Sequence, residues 1–327
     1  MTVQHDWKLL EARPVRVGSC RIVSVANQKG GVAKTTTAVN LGAALAMRGH
    51  RILVVDIDPQ ANATTGLGLD HRAMESSSYD VLLGEARLAD VVVPTRIEGL
   101  SVAPSSLDLA GAEVELVGTM ARERKLSEAL TDVDGRYDMV FLDCPPSLGL
   151  LTINALAAAH DLIVPVQCEY YALEGLGQLL GNAERVRRAL NPDLRVAGFL
   201  LTMYDARTKL SSQVADEVRS HFGSLVYGTV IPRSVRLSEA PSFGEPVVTL
   251  DPSSRGSIAY RLLAAEVEAR YTMAVQPQPS ASPPPPPPPA VERGEPGVAG
   301  RGFGTVTERP EGLDDAWPPR EPWSVSS

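Results

Sequence analysis

Short apolar runs alternate with longer segments of helical periodicity along most of the chain. The runs are rich in β-branched residues and too apolar for a sheet with one wet face, so they predict buried strands at 22–25, 52–55, 139–142, 162–166, 196–201 and 229–231. Helical patterns lie between them, at about 34–48, 107–130, 148–159, 172–190 and 211–222. This alternation predicts an α/β fold, with a doubly wound, mostly parallel sheet flanked by helices.

Two helical segments carry an apolar stripe. In the segment 211–222 the stripe consists of Val214, Val218 and Phe222, which recur every four residues and so share one face. A last helix is expected from about Pro252, with Asp251 as its N-cap. Its buried side is predicted to consist of Ile258, Leu262, Ala265 and Ala269.

The two ends of the chain differ from its body. Residues 1–19 show no periodicity and are interpreted as a short flexible extension before a folded domain at 20–272. Fourteen of the 26 prolines lie in the last 53 residues, among them the run from Pro283 to Pro289. Such a composition cannot bury a core, so 273–327 is predicted to be a disordered tail.

Composition excludes several classes of protein. The 327 residues include three cysteines, Cys20, Cys144 and Cys168, too few for a disulfide framework or a four-thiolate metal site. No stretch approaches the roughly 18 to 20 apolar residues of a membrane span, and the first residues lack the profile of a signal peptide. We therefore expect a cytoplasmic protein without membrane contact. The net charge of -8 averages over all faces, so a local basic patch for DNA stays possible.

The strongest motif follows the first predicted strand and runs from Asn27 to Thr37 as NQKGGVAKTTT. A glycine-rich turn between strand and helix presents backbone N–H groups to phosphates, with Lys34 reaching the β- and γ-phosphates and Thr35 ligating Mg²⁺. The predicted cofactors are therefore ATP and Mg²⁺. The ordinary G-x-x-x-x-G-K-[ST] pattern fails at Gln28 and Ala33. The predicted nucleotide contacts are Lys29, Gly30, Gly31, Val32, Ala33, Lys34, Thr35 and Thr36.

This lysine-first motif resembles the signature K-G-G-x-G-K-[ST] of the deviant Walker A ATPases, a P-loop class that includes ParA/Soj proteins, MinD, nitrogenase iron protein and arsenite-pump ATPases. The resemblance implies that Lys29 crosses a dimer interface to the phosphates bound by the other subunit, so that ATP joins a homodimer. Ala33 stands where the family has glycine, and we expect it to be tolerated only if its φ is negative.

Carboxylates end two of the predicted strands, in Asp56-Ile-Asp58-Pro-Gln and Asp143-Cys-Pro-Pro. An acidic residue at the end of a strand beside a phosphate loop can hold Mg²⁺ or its waters, which predicts Asp143 as a metal ligand with Thr35. The resemblance implies that Asp58 belongs to the metal site with Thr35 and Asp143 and orients the attacking water. Asp56 fits a direct role and a capping or salt-bridge role equally well. The predicted catalytic residues are Lys29, Lys34 and Asp58.

Two further segments, 202–209 and 230–244, read TMYDARTK and VIPRSVRLSEAPSFG and resemble the Soj/ParA chromosome-partitioning branch. The resemblance covers about 20–272. It implies that Arg207 and Arg236 bind DNA without sequence preference, and that Pro232 and Arg233 pack against the adenine base. Three more cations could widen the DNA-binding patch: Lys209, Arg219 and Arg233.

The resulting hypothesis is an ATP-dependent partition ATPase with slow basal turnover, associated with the nucleoid and stimulated by a ParB/Spo0J-like centromere-binding protein. A MinD-like membrane-associated positioning ATPase would need a basic amphipathic C-terminal helix, whereas the chain after Tyr271 turns to Gln, Pro and acidic residues. An iron-protein reductase would need paired cluster cysteines, and a plasmid-type repressor an N-terminal helix-turn-helix domain. A regulator that binds DNA and uses nucleotide only as a structural ligand stays open.

Overall fold

The computed structural model describes residues 20–169 and 172–275. The expected extension at 1–19 and the tail from 276 onward lie outside the described residues. The last helix continues to Val275, beyond the expected domain end at 272.

Within the described residues, seven strands form one sheet in the order β3-β4-β2-β5-β1-β6-β7. Neighbouring strands are parallel except β3 and β4, which are antiparallel. The strands are β1 (Arg21–Val25), β2 (Ile52–Asp56), β3 (Val93–Pro94), β4 (Leu100–Ala103), β5 (Met139–Asp143), β6 (Asp161–Gln167) and β7 (Arg195–Thr202). The predicted α/β class with a mostly parallel sheet is confirmed.

Helices connect the strands and cover both faces of the sheet. They are α1 (Lys34–Ala46), α2 (Asn62–Gly66), α3 (Ser78–Leu83), α4 (Leu88–Val91), α5 (Leu109–Glu115), α6 (Lys125–Leu130), α7 (Leu150–Ala158), α8 (Glu174–Ala189), α9 (Lys209–Phe222), α10 (Val235–Glu239), α11 (Val247–Leu250) and α12 (Arg255–Val275). Short 3₁₀ turns occupy Leu116–Gly118, Arg122–Arg124, Thr131–Val133, Gly223–Leu225 and Ala240–Phe243.

Strand β2 shows how one run of apolar residues serves two cores. Ile52 and Val54 enter the core that holds the side chains of α1 and α12. Leu53 and Val55 point to the opposite face, into the core built with α7 and α8. Because successive side chains of a strand alternate between faces, a strand buried on both sides must be apolar throughout.

Five of the predicted strands are present, and the sixth is not. The segment 229–231 forms no strand, although Ile231 N donates to Leu201 O at 2.9 Å and so follows β7 for one bond. The strands β3 and β4 were not predicted, because two and four residues are too short to show a period.

The helix predicted over 107–130 is broken into α5, α6 and intervening 3₁₀ turns, with Ala121 in the left-handed region at φ 53°. The last helix begins at Arg255, later than Pro252. Ser254 rather than Asp251 caps it, because Ser257 N donates to Ser254 Oγ at 3.2 Å.

The buried stripe predicted for α12 is wrong. Ile258 and Leu262 are 43% and 59% exposed. The helix instead buries the side that carries Ala259, Tyr260, Leu263, Ala264 and Val267. Apolar residues occupy both sides of α12, and the side with the larger side chains removes more apolar surface from water. The stripe predicted for α9 is confirmed, since Phe222 stacks on Phe199 with ring centroids 3.9 Å apart.

A polar cluster fixes the amino ends of the strands. Asp161, at the start of β6, is fully buried and accepts hydrogen bonds from the Nε atoms of Arg21 and Arg195. Tyr271 of α12 donates its hydroxyl to the same carboxylate at 3.0 Å. The last helix is thereby joined to β1, β6 and β7 at the edge opposite the strand carboxyl ends. No helix among the described residues is long and apolar enough to span a membrane.

Candidate functional site

The loop between β1 and α1 is held in shape by residues of β6 and β7. Asn27 Nδ2 donates to Pro165 O at 2.6 Å, and Asn27 Oδ1 accepts from Lys29 N at 3.0 Å. Further along the loop, Thr202 Oγ1 at the end of β7 donates to Val32 O at 3.1 Å. The backbone that would surround an anion is therefore set by residues far along the chain.

The expectation of a negative φ at Ala33 is wrong. Ala33 has φ 69° and ψ 36°, in the left-handed region, as does Gly31 at φ 72°. Ala33 directly precedes α1, and its carbonyl oxygen accepts both the N–H and the hydroxyl of Thr37, at 2.9 and 2.7 Å. Ala61, after Asp58, adopts φ 51°. A left-handed alanine costs about 1–2 kcal/mol, so both loops retain strain that glycine would relieve.

Lys34 lies inside the loop. Only 6% of the residue is exposed, and its Nζ donates to Lys29 O at 3.2 Å. Burial lowers the pKa of the Lys34 amine, while the nearby Asp143, Cys144 and Asp58 act in the opposite direction. The cation thus sits where a bound phosphate would contact both the amine and the loop backbone.

Lys29 points toward a different partner. Its Nζ lies 3.2 Å from Glu169 Oε2, and Glu169 Oε1 accepts from Gln167 Nε2 at 2.6 Å. Glu169 lies two residues after the end of β6 and was not identified from the sequence. The rule that carboxylates at strand ends face the site, which identified Asp143, would also have found it.

Asp143 ends β5 and is fully buried. Neither of its carboxylate oxygens makes a hydrogen bond of normal geometry among the described residues, although the Thr35 hydroxyl lies close enough to lower its pKa. Burial raises the pKa of Asp143 well above its usual range, the negative charge of Asp56 adds to the shift, and the neighbouring Thr35 and Lys34 reduce it. A buried carboxylate without a partner is costly unless a ligand completes it.

Asp56 and Asp58 have separate roles. Asp56 is paired in register with Asp143 and fully buried, and its Oδ2 accepts from Thr64 N and Thr64 Oγ1 at 2.8 and 2.7 Å. Burial raises the pKa of Asp56 to about 6, while these hydrogen bonds lower it. Asp56 thus holds Thr64 of α2 in place without being the N-cap of that helix, which is Ala61, and a direct role of Asp56 in the site stays a prediction. Asp58 Oδ1 accepts from Gln60 N at 3.0 Å.

The end of β4 also contributes to this loop. Ser105 Oγ donates to Asp58 O at 2.7 Å, and Ser105 N donates to Thr64 Oγ1 at 2.9 Å. The carboxyl ends of β1, β2, β4 and β5 thus meet at one edge of the sheet. Ser105 has no signal in the sequence, because it follows a strand too short to show a period.

The residues at this edge fit a small divalent cation. Mg²⁺ prefers oxygen ligands and is held by one or two protein oxygens together with water and phosphate. Asp143 supplies two buried oxygens without partners, and Thr35 lies beside it at the start of α1. Asp58 lies close enough to act on the pKa of both Asp143 and Lys34.

Hydrogen bonds join the two loops that carry the predicted DNA-binding residues. Tyr204 N donates to Ile231 O at 3.1 Å, and Arg233 N donates to Tyr204 O at 3.0 Å. The structure therefore brings Arg233 close to Arg207 and Lys209, near the carboxyl end of β7. All three residues are exposed, and Arg207, whose side chain is 86% exposed, makes a two-bond pair with Asp205. This guanidinium lowers the pKa of Asp205 to about 2.

The remaining two arginines lie further along the chain. Arg236 on α10 pairs with Glu239 at 3.1 Å and with Asp251 at 3.3 Å. Arg219 pairs with Asp216 at 3.8 Å. Arg219 lies ten positions after Lys209 on α9, about 15 Å along the helix axis, so it is away from the two joined loops.

Pro232, predicted to contact adenine, lines a groove of about 580 Å³ together with Val230, Arg255, Ile258 and Leu262. The apolar surface that α12 leaves exposed forms one wall of this groove. The adenine contact stays a prediction for Pro232 and Arg233.

Comparison with known protein sequences identifies close relatives. A family model described as an AAA domain matches residues 20–196. The chain is 56% identical over 249 residues to the sporulation initiation inhibitor protein Soj of Bacillus subtilis (strain 168), an alignment that covers 76% of this chain and 98% of that protein. It is 54% identical over 252 residues to the chromosome partitioning protein ParA of Caulobacter vibrioides (strain NA1000 / CB15N), covering 76% of this chain and 94% of that protein.

Solved structures share the fold and hold nucleotide. The cobyrinic acid a,c-diamide synthase from Mycobacterium smegmatis, with bound ATP analog and magnesium, aligns with a TM-score of 0.69 at 43% identity and covers 77% of this chain and 96% of that one. The septum site-determining protein MinD from Pyrococcus horikoshii OT3, with Mg-ADP, aligns with a TM-score of 0.65 at 29% identity and covers 78% of this chain and 98% of that one.

Proposed function

The chain belongs to the ParA/Soj family of chromosome-partitioning ATPases, and on this basis we propose that it hydrolyses ATP slowly with Mg²⁺ in order to partition DNA. One observation carries the proposal. Asp143 is a fully buried carboxylate without a partner among the described residues, and it acts on the pKa of the buried amine of Lys34. This arrangement is costly for a protein that binds nothing there and suits one that binds a metal–phosphate group.

Hydrolysis in this site rests on position and charge. Lys34 and the backbone of the loop from Gly30 to Thr36 bind the phosphates, and Thr35 and Asp143 would hold Mg²⁺. The metal would neutralise charge on the γ-phosphoryl group. Asp58 orients a water in line with that group, and a strong base is unnecessary because the transition state is loose.

Dimerisation requires Lys29 to change partner. In this conformation Lys29 is paired with Glu169 of its own chain, 3.2 Å away. In the proposed ATP-bound dimer, its amine binds the phosphates in the second subunit. An ion pair between half-exposed groups is worth about 0–1 kcal/mol, so a charged phosphate can replace Glu169.

DNA binding is proposed for the exposed arginines at the strand carboxyl ends. A two-fold dimer doubles this cationic surface, which makes DNA affinity depend on ATP. Contacts to phosphates carry no sequence information and weaken with salt, as a protein moving over bulk nucleoid DNA requires. A ParB/Spo0J-like protein bound at a centromere-like site would then accelerate hydrolysis and release the dimer.

The test is binding to a duplex of arbitrary sequence, with ATP and with ADP, at several salt concentrations. We expect the wild type to bind with ATP only, and Lys29→Ala to remain monomeric. Arg207→Glu and Arg236→Glu should keep ATP binding but lose at least about tenfold in DNA affinity, with a smaller salt dependence.

Arg51→Glu is the matched control for the two arginine variants. Arg51 is also exposed and paired with an aspartate, Asp138, but it precedes β2 and so lies at the opposite end of the sheet. Its loss should leave DNA binding unchanged. If the Arg207→Glu and Arg236→Glu variants still bind DNA with ATP at moderate salt, these two arginines are not part of the DNA-binding surface.

The competing function is a DNA-binding regulator that uses nucleotide only as a structural ligand. It predicts that Asp58→Ala changes nothing. The partition ATPase predicts that Asp58→Ala binds ATP and DNA but produces no phosphate, so a phosphate-release assay on this variant separates the two.

A further inference from the structure

The segment 235–250, which carries Arg236, packs against the two elements that form the nucleotide site. It consists of α10, the 3₁₀ turn Ala240–Phe243 and α11. The turn lies against α2, the short helix after Asp58, and α11 lies against α1, the helix of the phosphate loop. A proposed DNA-binding arginine and the proposed hydrolytic loop are therefore mechanically adjacent.

The contact with α2 is made by two glycines. A Cβ on Gly68 would lie 2.9 Å from Gly244 O, and a Cβ on Gly244 would lie 2.8 Å from Gly68 Cα. Both residues have positive φ, 85° and 65°. The two backbones touch with no side chain between them, so neither can move toward the other without displacing it.

Gly68 is joined to the hydrolytic loop through α2. Gly68 N donates to Thr65 O at 3.0 Å, and Thr64 is held by the buried Asp56 through two hydrogen bonds. Ala61 N, in turn, donates to Asp58 O at 2.9 Å. Rigid contacts thus lead from Asp58 to Gly68 within one short stretch of chain.

A second contact reaches the same segment from the phosphate loop. The buried Asn40 of α1 donates Nδ2 to Thr36 O at 2.8 Å and accepts from Val247 N at 2.7 Å. Between α1, α2 and the segment lies a cavity of about 190 Å³ whose walls include Thr35, Asn62 and Pro241. The segment can therefore shift into this space when the loops around it reorganise.

We propose that the backbone contact between Gly68 and Gly244 transmits the nucleotide state from the Asp58 loop to the segment 235–250, and so sets the DNA affinity of Arg236. The inference rests on the proposed function, because it concerns the link between ATP and DNA in that function. Loops that contact a γ-phosphate and its metal order and relax with the nucleotide, and a packed contact passes such a displacement on.

The experiment measures the ratio of DNA affinity with ATP to that with ADP in Gly68→Ala and Gly244→Ala. A methyl group at either position forces the two backbones apart, so we expect the ratio to fall at least about fivefold. ATP binding and the oligomeric state with ATP are measured on the same samples, and both should stay near wild type.

Gly84→Ala is the matched control. Gly84 also has a positive φ of 80°, but a Cβ there meets nothing within 4 Å. It therefore carries the same backbone strain without a collision, and its ratio should equal that of wild type. A ratio in Gly68→Ala and Gly244→Ala equal to that of Gly84→Ala would overturn the proposal.

Hydrogen–deuterium exchange on wild type keeps the test decisive should the glycine variants fail to fold. The exchange rates at Gly68 and at 244–247 should both change between ATP and ADP. A change at only one of these two places would refute the link between them. If wild type binds DNA equally with ATP and ADP, the proposed function is refuted. The exchange measurement then still tests whether the glycine contact passes on the nucleotide state.

Discussion

Two buried aspartates occupy opposite edges of the sheet, and their surroundings differ completely. Asp161, at the amino end of β6, accepts hydrogen bonds from Arg21, Arg195 and Tyr271. Asp143, at the carboxyl end of β5, has no hydrogen-bond partner among the described residues. Both are fully buried, so burial alone does not distinguish a structural carboxylate from a functional one.

The difference separates groups that stabilise the fold from groups kept available for a ligand. The side chains around Asp161 satisfy it within the protein, whereas Asp143 depends on something the protein binds. Substitutions at the two positions should therefore have opposite signatures, one in stability and one in activity.

Asp161→Ala should produce the largest effect, a loss of about 3–5 kcal/mol in the free energy of unfolding. The substitution leaves the guanidinium groups of Arg21 and Arg195, both mostly buried, without their shared carboxylate. Urea denaturation measures the loss. The control is Asp216→Ala, since Asp216 is 78% exposed and pairs with Arg219, and its cost should stay within about 0.5 kcal/mol. Equal losses of unfolding free energy in Asp161→Ala and Asp216→Ala would show that the buried cluster around Asp161 does not stabilise the fold.

Asp143→Asn should lower ATP hydrolysis at least about 100-fold, because a metal ligand contributes several kcal/mol to charge stabilisation. The melting temperature without nucleotide should change little, since the substitution removes a costly buried carboxylate but also removes the negative charge beside the buried amine of Lys34. Steady-state phosphate release and thermal melting test the two halves. A lower melting temperature with intact hydrolysis would show that Asp143 stabilises the fold and does not hold the metal.

Glu169→Gln should have a smaller effect on the same edge. Removing the charge that holds Lys29 in its own subunit should lower the ATP concentration for half-maximal dimerisation about two- to fivefold. Light scattering during an ATP titration measures it. Glu128→Gln is the control, because Glu128 pairs with Lys125 away from the phosphate loop, at 4.0 Å. A higher ATP requirement in Glu169→Gln would show that Glu169 assists the dimer.

Ala33→Gly should have the smallest effect, a gain of about 1 kcal/mol or less. Glycine relieves the left-handed strain but restores freedom to the unfolded chain, and the two terms nearly cancel. Denaturant unfolding of the nucleotide-free protein measures the net change. The control is Ala269→Gly, at an exposed position within α12, which should lose about 1 kcal/mol. A loss at both positions would mean that Ala33 carries no strain.

Features set by neighbouring residues were predictable from the sequence. Continuous apolar runs predict the buried strands. Lys34 is predicted by the glycine-rich motif around it, and Asp143 by its position at the end of a strand. The buried face of α12 was not predictable by periodicity, because two apolar stripes, one with Ile258 and one with Tyr260, compete along one helix. The outcome depends on which stripe the sheet can cover.

Contacts between distant segments account for what was missed in the site. Glu169 has a local signal in its place after β6, but its pairing with Lys29 and the backbone contact of Gly68 with Gly244 join segments that no local pattern relates. Ala33 shows the converse. A local argument about its Cβ predicted negative φ, whereas the turn between β1 and α1 places it in the left-handed region.

The bracing of the phosphate loop also has a consequence for how the chain is made. Asn27 and Val32 are held by Pro165 and Thr202, which leave the ribosome much later than the loop itself. A growing chain thus exposes the nucleotide motif long before the residues that shape it exist. The phosphate loop therefore reaches its final shape only after β7 has emerged, and bound nucleotide would stabilise the domain once the later helices have packed against α1.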